Sequence, residues 1–265
     1  VKEKVLGLIA GNGKFPLLLA QEAKKRGDTV IAIALKEEAD PMIEKYADKL
    51  TWLSIGQLGK TIDFFKANSV TEAVMAGQVK HTQLFKNIMP DWRAAKLLTK
   101  VVNKKAESLL GTVIAEFETE GIHFLPSTTY LENWMCAIGI LTKRALAKDE
   151  QADIDFGIPL ARAIAGNDIG QTIIVKDKTV VAVEAMEGTD ACIRRAGEIA
   201  GPGCVVIKVA RPKQDLRFDV PVIGSRTLDS LKAAGAKVLA LEAGKTLLLE
   251  KDQLLKDANA SQLTI

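Results

Sequence analysis

At 265 residues, with 48% hydrophobic and 26% charged side chains, the chain can bury two cores and has the balance of a globular protein, not of a disordered or fibrous one. A formal net charge of +3 and a pI near 8.6 are too mild to argue for nucleic acid, and no window approaches the roughly twenty unbroken apolar residues of a membrane span. Two histidines, His81 and His123, without ligand spacing set aside zinc and His-based triads, and three cysteines without a C-x-x-C pair suit a reduced, cytoplasmic setting.

The opening apolar run is too short for a signal peptide and enters a strand-turn pattern directly. Residues 5–10 are continuously apolar, which predicts a strand covered on both faces. Gly11-Asn12-Gly13-Lys14 is a turn, and 15–26 is a helix with Pro16 in its first turn and Gly27 at its end. A second buried strand at 29–35, a short helix at 41–46, a weak strand at 51–53, a helix at 57–68 and a strand at 72–76 follow. Helices at about 92–102 and 109–119, the first capped by Asp91, and a short strand at 123–125 close the region. Strands alternating with helices predict a parallel sheet with crossover helices.

Residues 128–155 change character, with isolated large side chains and then mixed charges, and read as a connection. The second half restarts with a helix at 156–165. A hairpin follows, 171–175 and 180–185 about the turn Lys176-Asp177-Lys178. A helix from Asp190, a strand at 204–209, a helix at 228–234 and strands at 238–240 and 246–249 complete the expectation. The predicted fold class is therefore α/β: an N-terminal parallel-sheet, Rossmann-like domain over 1–130, a linker over 131–152, and a second, mixed-sheet α/β domain over 153–265.

Chemistry concentrates at strand ends. Residues 208–227, KVARPKQDLRFDVPVIGSRT, form a charged loop bracketed by Pro212, Pro221 and Gly224 after an apolar run. Glu187-Gly188-Thr189-Asp190 follows the apolar run 180–185. A cap for the next helix explains Asp190 but not Glu187 as well. Two strand ends that both present carboxylates suggest one divalent-cation site, and such cations act on phosphates. If the charged loop is extended, Asp215, Arg217 and Asp219 share one face, with Arg217 placed to orient Asp219. An internal Arg–carboxylate brace is the structural alternative.

Gly11-Asn12-Gly13 lies between a strand and a helix, where glycines let a backbone approach a phosphate, yet Pro16 stands where the third glycine of a dinucleotide fingerprint would be. Gly77-Gln78 ends another strand, where open sheets bind ligands. Gln171, in Asp168-Ile169-Gly170-Gln171, can reach a base or sugar, or simply close an Asx turn.

Together GNGKFP, AGQV (76–79), MPD, DIGQ, EGTD and KxARPxQDxRFDVPxIGxxT resemble one bacterial family over nearly the whole chain. It is the UDP-2,3-diacylglucosamine pyrophosphatase family of lipid A synthesis, of the type unrelated to calcineurin-like phosphoesterases. The resemblance implies a cytoplasmic, Mg²⁺-dependent hydrolase that yields UMP and 2,3-diacylglucosamine 1-phosphate, able to touch the inner-membrane surface, with a homodimer left open. It places the family's essential Asp at Asp219 and the EGTD carboxylate at Asp190. Asp190 and Asp219 would hold the metal, with Glu187, Asp215 and Arg217 around them. Arg217 or Lys208 would face a phosphate oxygen, Thr189 the same end, and Gly11, Gly13, Gly77 and Gln78 the UDP. The family carries Gly-Asp-Asp ahead of a Leu-Leu pair, where this chain has Ala106 and Glu107 before Leu109-Leu110. A nicotinamide-dependent oxidoreductase and a non-catalytic nucleotide-sugar or lipid sensor are the competing readings.

Overall fold

The structure, a computed structural model, describes residues 4–36, 38–79, 89–99 and 106–265. It forms two compact units. The first comprises residues 1–131 and 215–218, and the second residues 132–214 and 219–265. The chain thus leaves the second unit for four residues and returns to it.

In the first unit the apolar runs become β1 (Val5–Ala10), β2 (Thr29–Leu35), β3 (Lys49–Leu53), β4 (Glu72–Ala76) and β5 (His123–Phe124). They pair in the order β3-β2-β1-β4-β5, and every pairing is parallel. The chain starts in the middle, builds outward to β3, then switches to the other side at β4, which is the doubly wound arrangement. Helices Phe15–Lys25, Leu58–Ala67, Trp92–Leu98 and Ala106–Thr119 lie between the strands in sequence. One core gathers Ile31, Ile33, Ile62, Phe65, Phe117 and Phe124, with the Phe117 and Phe124 rings edge to face at 5.1 Å. Asp91 caps its helix as expected, accepting from Ala94 N at 2.9 Å, and also accepts from Gly59 N at 2.7 Å.

The second unit holds β6 (Thr172–Lys176), β7 (Thr179–Val183), β8 (Val205–Lys208) and β10 (Val238–Leu241) in the order β10-β8-β6-β7. Strands β10 and β8 run parallel, while β6 is antiparallel to both β8 and β7, so the sheet is mixed. A separate parallel pair joins β9 (Val222–Ile223) to β11 (Leu247–Leu248). The expected α/β class, a parallel sheet first and a mixed sheet second, is therefore what the chain forms.

Several boundaries differ, for physical reasons. The helix expected from 156 spans Lys148–Gly166. Its first turn carries Asp149 and Glu150, favourable at a helix N-terminus, and Glu150 accepts from Ala147 N at 2.9 Å while pairing with Arg144. Read linearly, the mixed charges before residue 156 look like loop chemistry. Packing of Ala161 and Ala165 on β6 and β8 overrides that local signal. The helix expected at 228–234 begins at Ser225, β9 emerges from the charged loop, and the helix Lys251–Ala260 had no expectation.

Candidate functional site

In the first unit, the loops after β1 and β4 meet at the switch point and bond to each other. Gly11 N donates to Ala76 O at 2.8 Å, Asn12 N to Gln78 O at 2.7 Å, and Gln78 N to Asn12 O at 3.1 Å. A Cβ on Gly77 would lie 2.7 Å from Asn12 O and 2.8 Å from Gly11 C, and its φ of +90° suits only glycine. Gly11 and Gly77 are thus required by loop-to-loop contact, and two of the amides a phosphate would use are already donating. Gly13 remains on an open rim, with no atom within 4 Å of its Cβ position. Gln78 is exposed beside it.

The second unit concentrates charge at one edge of its mixed sheet. Antiparallel register brings Thr172, at the start of β6, opposite Lys208, at the end of β8, and Ile173 opposite Val183 at the end of β7. Glu184 and Thr189, which continue from β7 into the helix Thr189–Ala200, therefore arrive at the same edge. Lys208 Nζ donates to Thr189 Oγ1 at 2.7 Å and to Thr172 Oγ1 at 3.4 Å. Thr189 Oγ1 donates to Glu184 Oε1 at 2.8 Å, and Glu184 Oε2 stands 3.9 Å from the ammonium. Gln171 N donates to Glu184 Oε2 at 3.3 Å. A Cβ on Gly170 would overlap the Glu184 carbonyl, so the 168–170 loop must carry a glycine to lie against this strand end.

Lys208 is 6% exposed, and burial pulls its ammonium below the usual lysine range. Glu184, Asp190 and Asp219 oppose that shift, while Arg211 adds to it. These four charged groups therefore lie within electrostatic reach of one buried amine. Asp190 Oδ1 accepts from Thr227 Oγ1 at 2.8 Å, which ties the first turn of Thr189–Ala200 to that of the helix Ser225–Ala233. Both helices start after a glycine that has no side-chain cap, Gly188 and Gly224. Two helix N-termini joined this way favour an anion.

The charged loop is not extended. Asp215 Oδ1 accepts from Arg217 N at 3.0 Å, and its carboxylate takes the Arg217 guanidinium at 2.7–3.1 Å. Arg217 also pairs with Glu118 at 3.1 Å. Bonding from Arg217 holds the Asp215 carboxyl below the usual range. Asp215 and Arg217 belong to the first unit and Asp219 to the second. The expected face shared by Asp215, Arg217 and Asp219 does not form, because the segment turns at 216–218. Asp219 pairs with Arg211, whose Nη1 lies 3.6 Å from Asp219 Oδ2 and whose Nε lies 3.3 Å from Asp168 Oδ1. Glu187 spends its oxygens locally, on Arg195 at 2.7 Å and Ala185 N at 3.0 Å.

Sequence reasoning missed Glu184, Thr172, Thr227 and Arg211. A signal existed for the first: Glu184 and Lys208 are opposite charges, each inside a run otherwise read as buried strand. Ionised side chains in two buried strands imply that the strands bring them together. The Ala106 and Glu107 side chains lie outside the described residues, as does His81.

Among the described residues, no group of three or more His, Cys, Asp or Glu side chains could hold a metal ion. Mg²⁺, however, usually takes one or two carboxylates and completes its shell with water and phosphate oxygens. The carboxylates of Asp190 and Asp219 are hard oxygen donors of the kind that mode uses.

The model described as the LpxI N-terminal domain matches residues 5–134, and that described as the LpxI C-terminal domain matches residues 137–265. The chain is also similar to the UDP-2,3-diacylglucosamine pyrophosphatase LpxI of Caulobacter vibrioides, 33% identical over 267 residues, which covers 96% of this chain and 94% of that protein.

Proposed function

The chain belongs to the LpxI family, and on that footing we propose that it hydrolyses the pyrophosphate bond of UDP-2,3-diacylglucosamine in lipid A biosynthesis. The products would be UMP and 2,3-diacylglucosamine 1-phosphate. The carrying observation is the match of both halves of the chain to that family together with the similarity to a protein of that activity.

The charged edge of the second unit supports placing the chemistry there. Breaking a phosphoanhydride requires its negative charge to be balanced and a water to be held in line. Asp190 and Asp219 would hold a Mg²⁺, which when bound supplies Lewis-acid stabilisation of phosphate oxygens. Asp219, with Arg211 Nη1 at 3.6 Å, would hold the water. Thr189, Gln171 and Lys208 frame this edge, and the uncapped first turns at Thr189 and Ser225 offer positive poles to phosphate. Gly13 and Gln78, on the open rim of the paired loops, are our candidates for the nucleotide side, with Gly11 and Gly77 shaping that rim. Glu187, Asp215 and Arg217 brace their own loops.

Ile169 and Met186 are 52% and 104% exposed and flank the Gly170–Glu184 contact. They support a reading in which apolar chains pass beside the charged edge. A diacylated substrate resides at a membrane surface, so we place the working protein at the cytoplasmic face of the inner membrane. No described helix is long and apolar enough to cross it.

The test is release of UMP from UDP-2,3-diacylglucosamine, with Mg²⁺ and with EDTA. Hydrolysis by the wild type that disappears with EDTA and with Asp219→Asn is expected. Hydrolysis indifferent to both would sink the metal-assisted reading, and no hydrolysis at all would return the chain to the sensor class. The oxidoreductase reading has a physical obstacle: the Gly11 and Asn12 amides already donate to the 76–78 segment.

A further inference from the structure

Lys208 ends a strand whose four residues are all buried, and burying an ammonium is costly unless charge faces it. Its contacts are unusual for a structural lysine. The two nearest oxygens are neutral hydroxyls, Thr189 Oγ1 at 2.7 Å and Thr172 Oγ1 at 3.4 Å. The Glu184 carboxylate stands back at 3.9 Å, already bonded by Thr189 and by Gln171 N. Asp190 and Asp219 act on the amine through their charge. The ammonium therefore bonds hydroxyls and faces Glu184 across 3.9 Å, within the electrostatic influence of Asp190 and Asp219, and is not paired off with one carboxylate. With Arg211, which pairs with Asp168 and Asp219, as second cation, part of the negative charge of this edge is balanced within the protein.

We propose that Lys208 is a positioning residue that serves as the resident cation among Glu184, Asp190 and Asp219 while substrate is absent. It fixes the first turn of Thr189–Ala200 through Thr189, and it keeps the affinity of the empty site for divalent cations low. The inference rests on the metal-assisted reading of the same site. Coulomb attraction falls with the charge on either partner, so a cluster whose negative charge is partly balanced by a resident ammonium holds Mg²⁺ more weakly than one without it. The pyrophosphate of the substrate restores the missing negative charge and supplies oxygen ligands. Cation and nucleotide sugar then bind as a unit, and a bare cation does not occupy the site unproductively.

The experiment follows thermal unfolding of the substrate-free protein against Mg²⁺ concentration for the wild type, Lys208→Met and Lys208→Arg. Met preserves the stem and removes the charge. The expected result is a Mg²⁺ response in Lys208→Met at roughly tenfold lower concentration than in the wild type, with kcat reduced, while Lys208→Arg keeps the wild-type response. A merely structural lysine would lower the unfolding temperature in both variants and leave the Mg²⁺ midpoint where it was; that result overturns the proposal. Should the Met variant not fold, the wild type carries the test by itself, using UDP as probe. Stabilisation by Mg²⁺ and UDP together should exceed the sum of each alone. A Mg²⁺ response that is the same with and without UDP overturns the proposal. Failure of the underlying reading shows separately, as wild-type hydrolysis unaffected by EDTA. An EDTA-sensitive enzyme with an unchanged Met-variant midpoint sinks the inference alone.

Discussion

The two sheets end in opposite kinds of chemistry. After β1 and β4 of the first unit, the loops are held by main-chain bonds, Asn12 to Gln78 in both directions and Gly11 to Ala76. After β7 and β8 of the second, the edge is held by side chains, Lys208, Thr189, Glu184 and Thr172. A main-chain pairing tolerates changes of side chain but not an added Cβ, whereas a side-chain network is the reverse. The glycine-rich sequence motif after β1 therefore marks a stiff frame. A glycine turn after a strand is evidence of close approach; what approaches can be another loop as readily as a phosphate.

Four substitutions would break or sharpen that contrast. Asp219→Asn should have the largest effect. We expect UMP release to fall by about 10³-fold, or ~4 kcal/mol of transition-state stabilisation, with the unfolding temperature nearly unchanged. A loss below about tenfold would remove Asp219 from the chemistry. Gly77→Ala should do the opposite. The new Cβ meets Asn12 O, Gly11 C and Pro16 Cγ at 2.7–2.8 Å in a left-handed backbone, so about 3 kcal/mol of stability should go while kcat of the folded fraction stays within twofold or so. Denaturant unfolding measures the first and steady-state kinetics the second.

Asp215→Asn should cost about 1 kcal/mol at neutral pH, a figure limited by solvent screening at this partly exposed pair. The folded carboxyl is lowered by Arg217, so its contribution is present above the unfolded pKa of about 4 and is lost as pH falls through the lower folded value. Wild type and variant should therefore converge in stability below that window. A gap that persists in strong acid would assign the effect to something other than ionisation. Gln78→Ala should matter least for the fold, by under about 0.5 kcal/mol, because the pairing uses its backbone. Any rise in KM for the UDP substrate then reports the side chain as a ligand contact.

Much of the frame was legible because buried parallel strands are unbroken apolar runs. Residues 5–10 and 29–35 read as strands, and they are β1 and β2 to the residue. The positions of Thr189, Asp190 and Lys208 at strand ends were legible for the same reason. Which arginine serves Asp219 was not. The period-two argument assumed an extended loop, and in an extended loop Arg217 is the neighbour. The segment instead turns at 216–218, and Asp215 captures Arg217 two residues on, leaving Arg211 to reach Asp219. Non-local partners such as Thr172 and Glu184 follow from strand register, which hydrophobic runs do not specify when both faces are buried.

The four-residue excursion at 215–218 bears on how the protein can be dissected. Ser127 N donates to Leu216 O at 2.8 Å, Ser127 Oγ lies 2.8 Å from Arg217 O, and Phe218 packs against the first core. A fragment ending at residue 134, where the first family model stops, lacks all three of these partners. It would carry a buried serine with broken hydrogen bonds and a gap in its apolar cluster. The complementary fragment would carry a loop whose anchor is elsewhere. The halves of this chain, cut where the two family models meet, are therefore not expected to fold independently; limited stability of the 1–134 fragment in denaturant unfolding is the check. Mixing the separately made halves could restore hydrolysis only by fragment complementation, with the 215–218 segment inserted into the first unit as a late step of assembly.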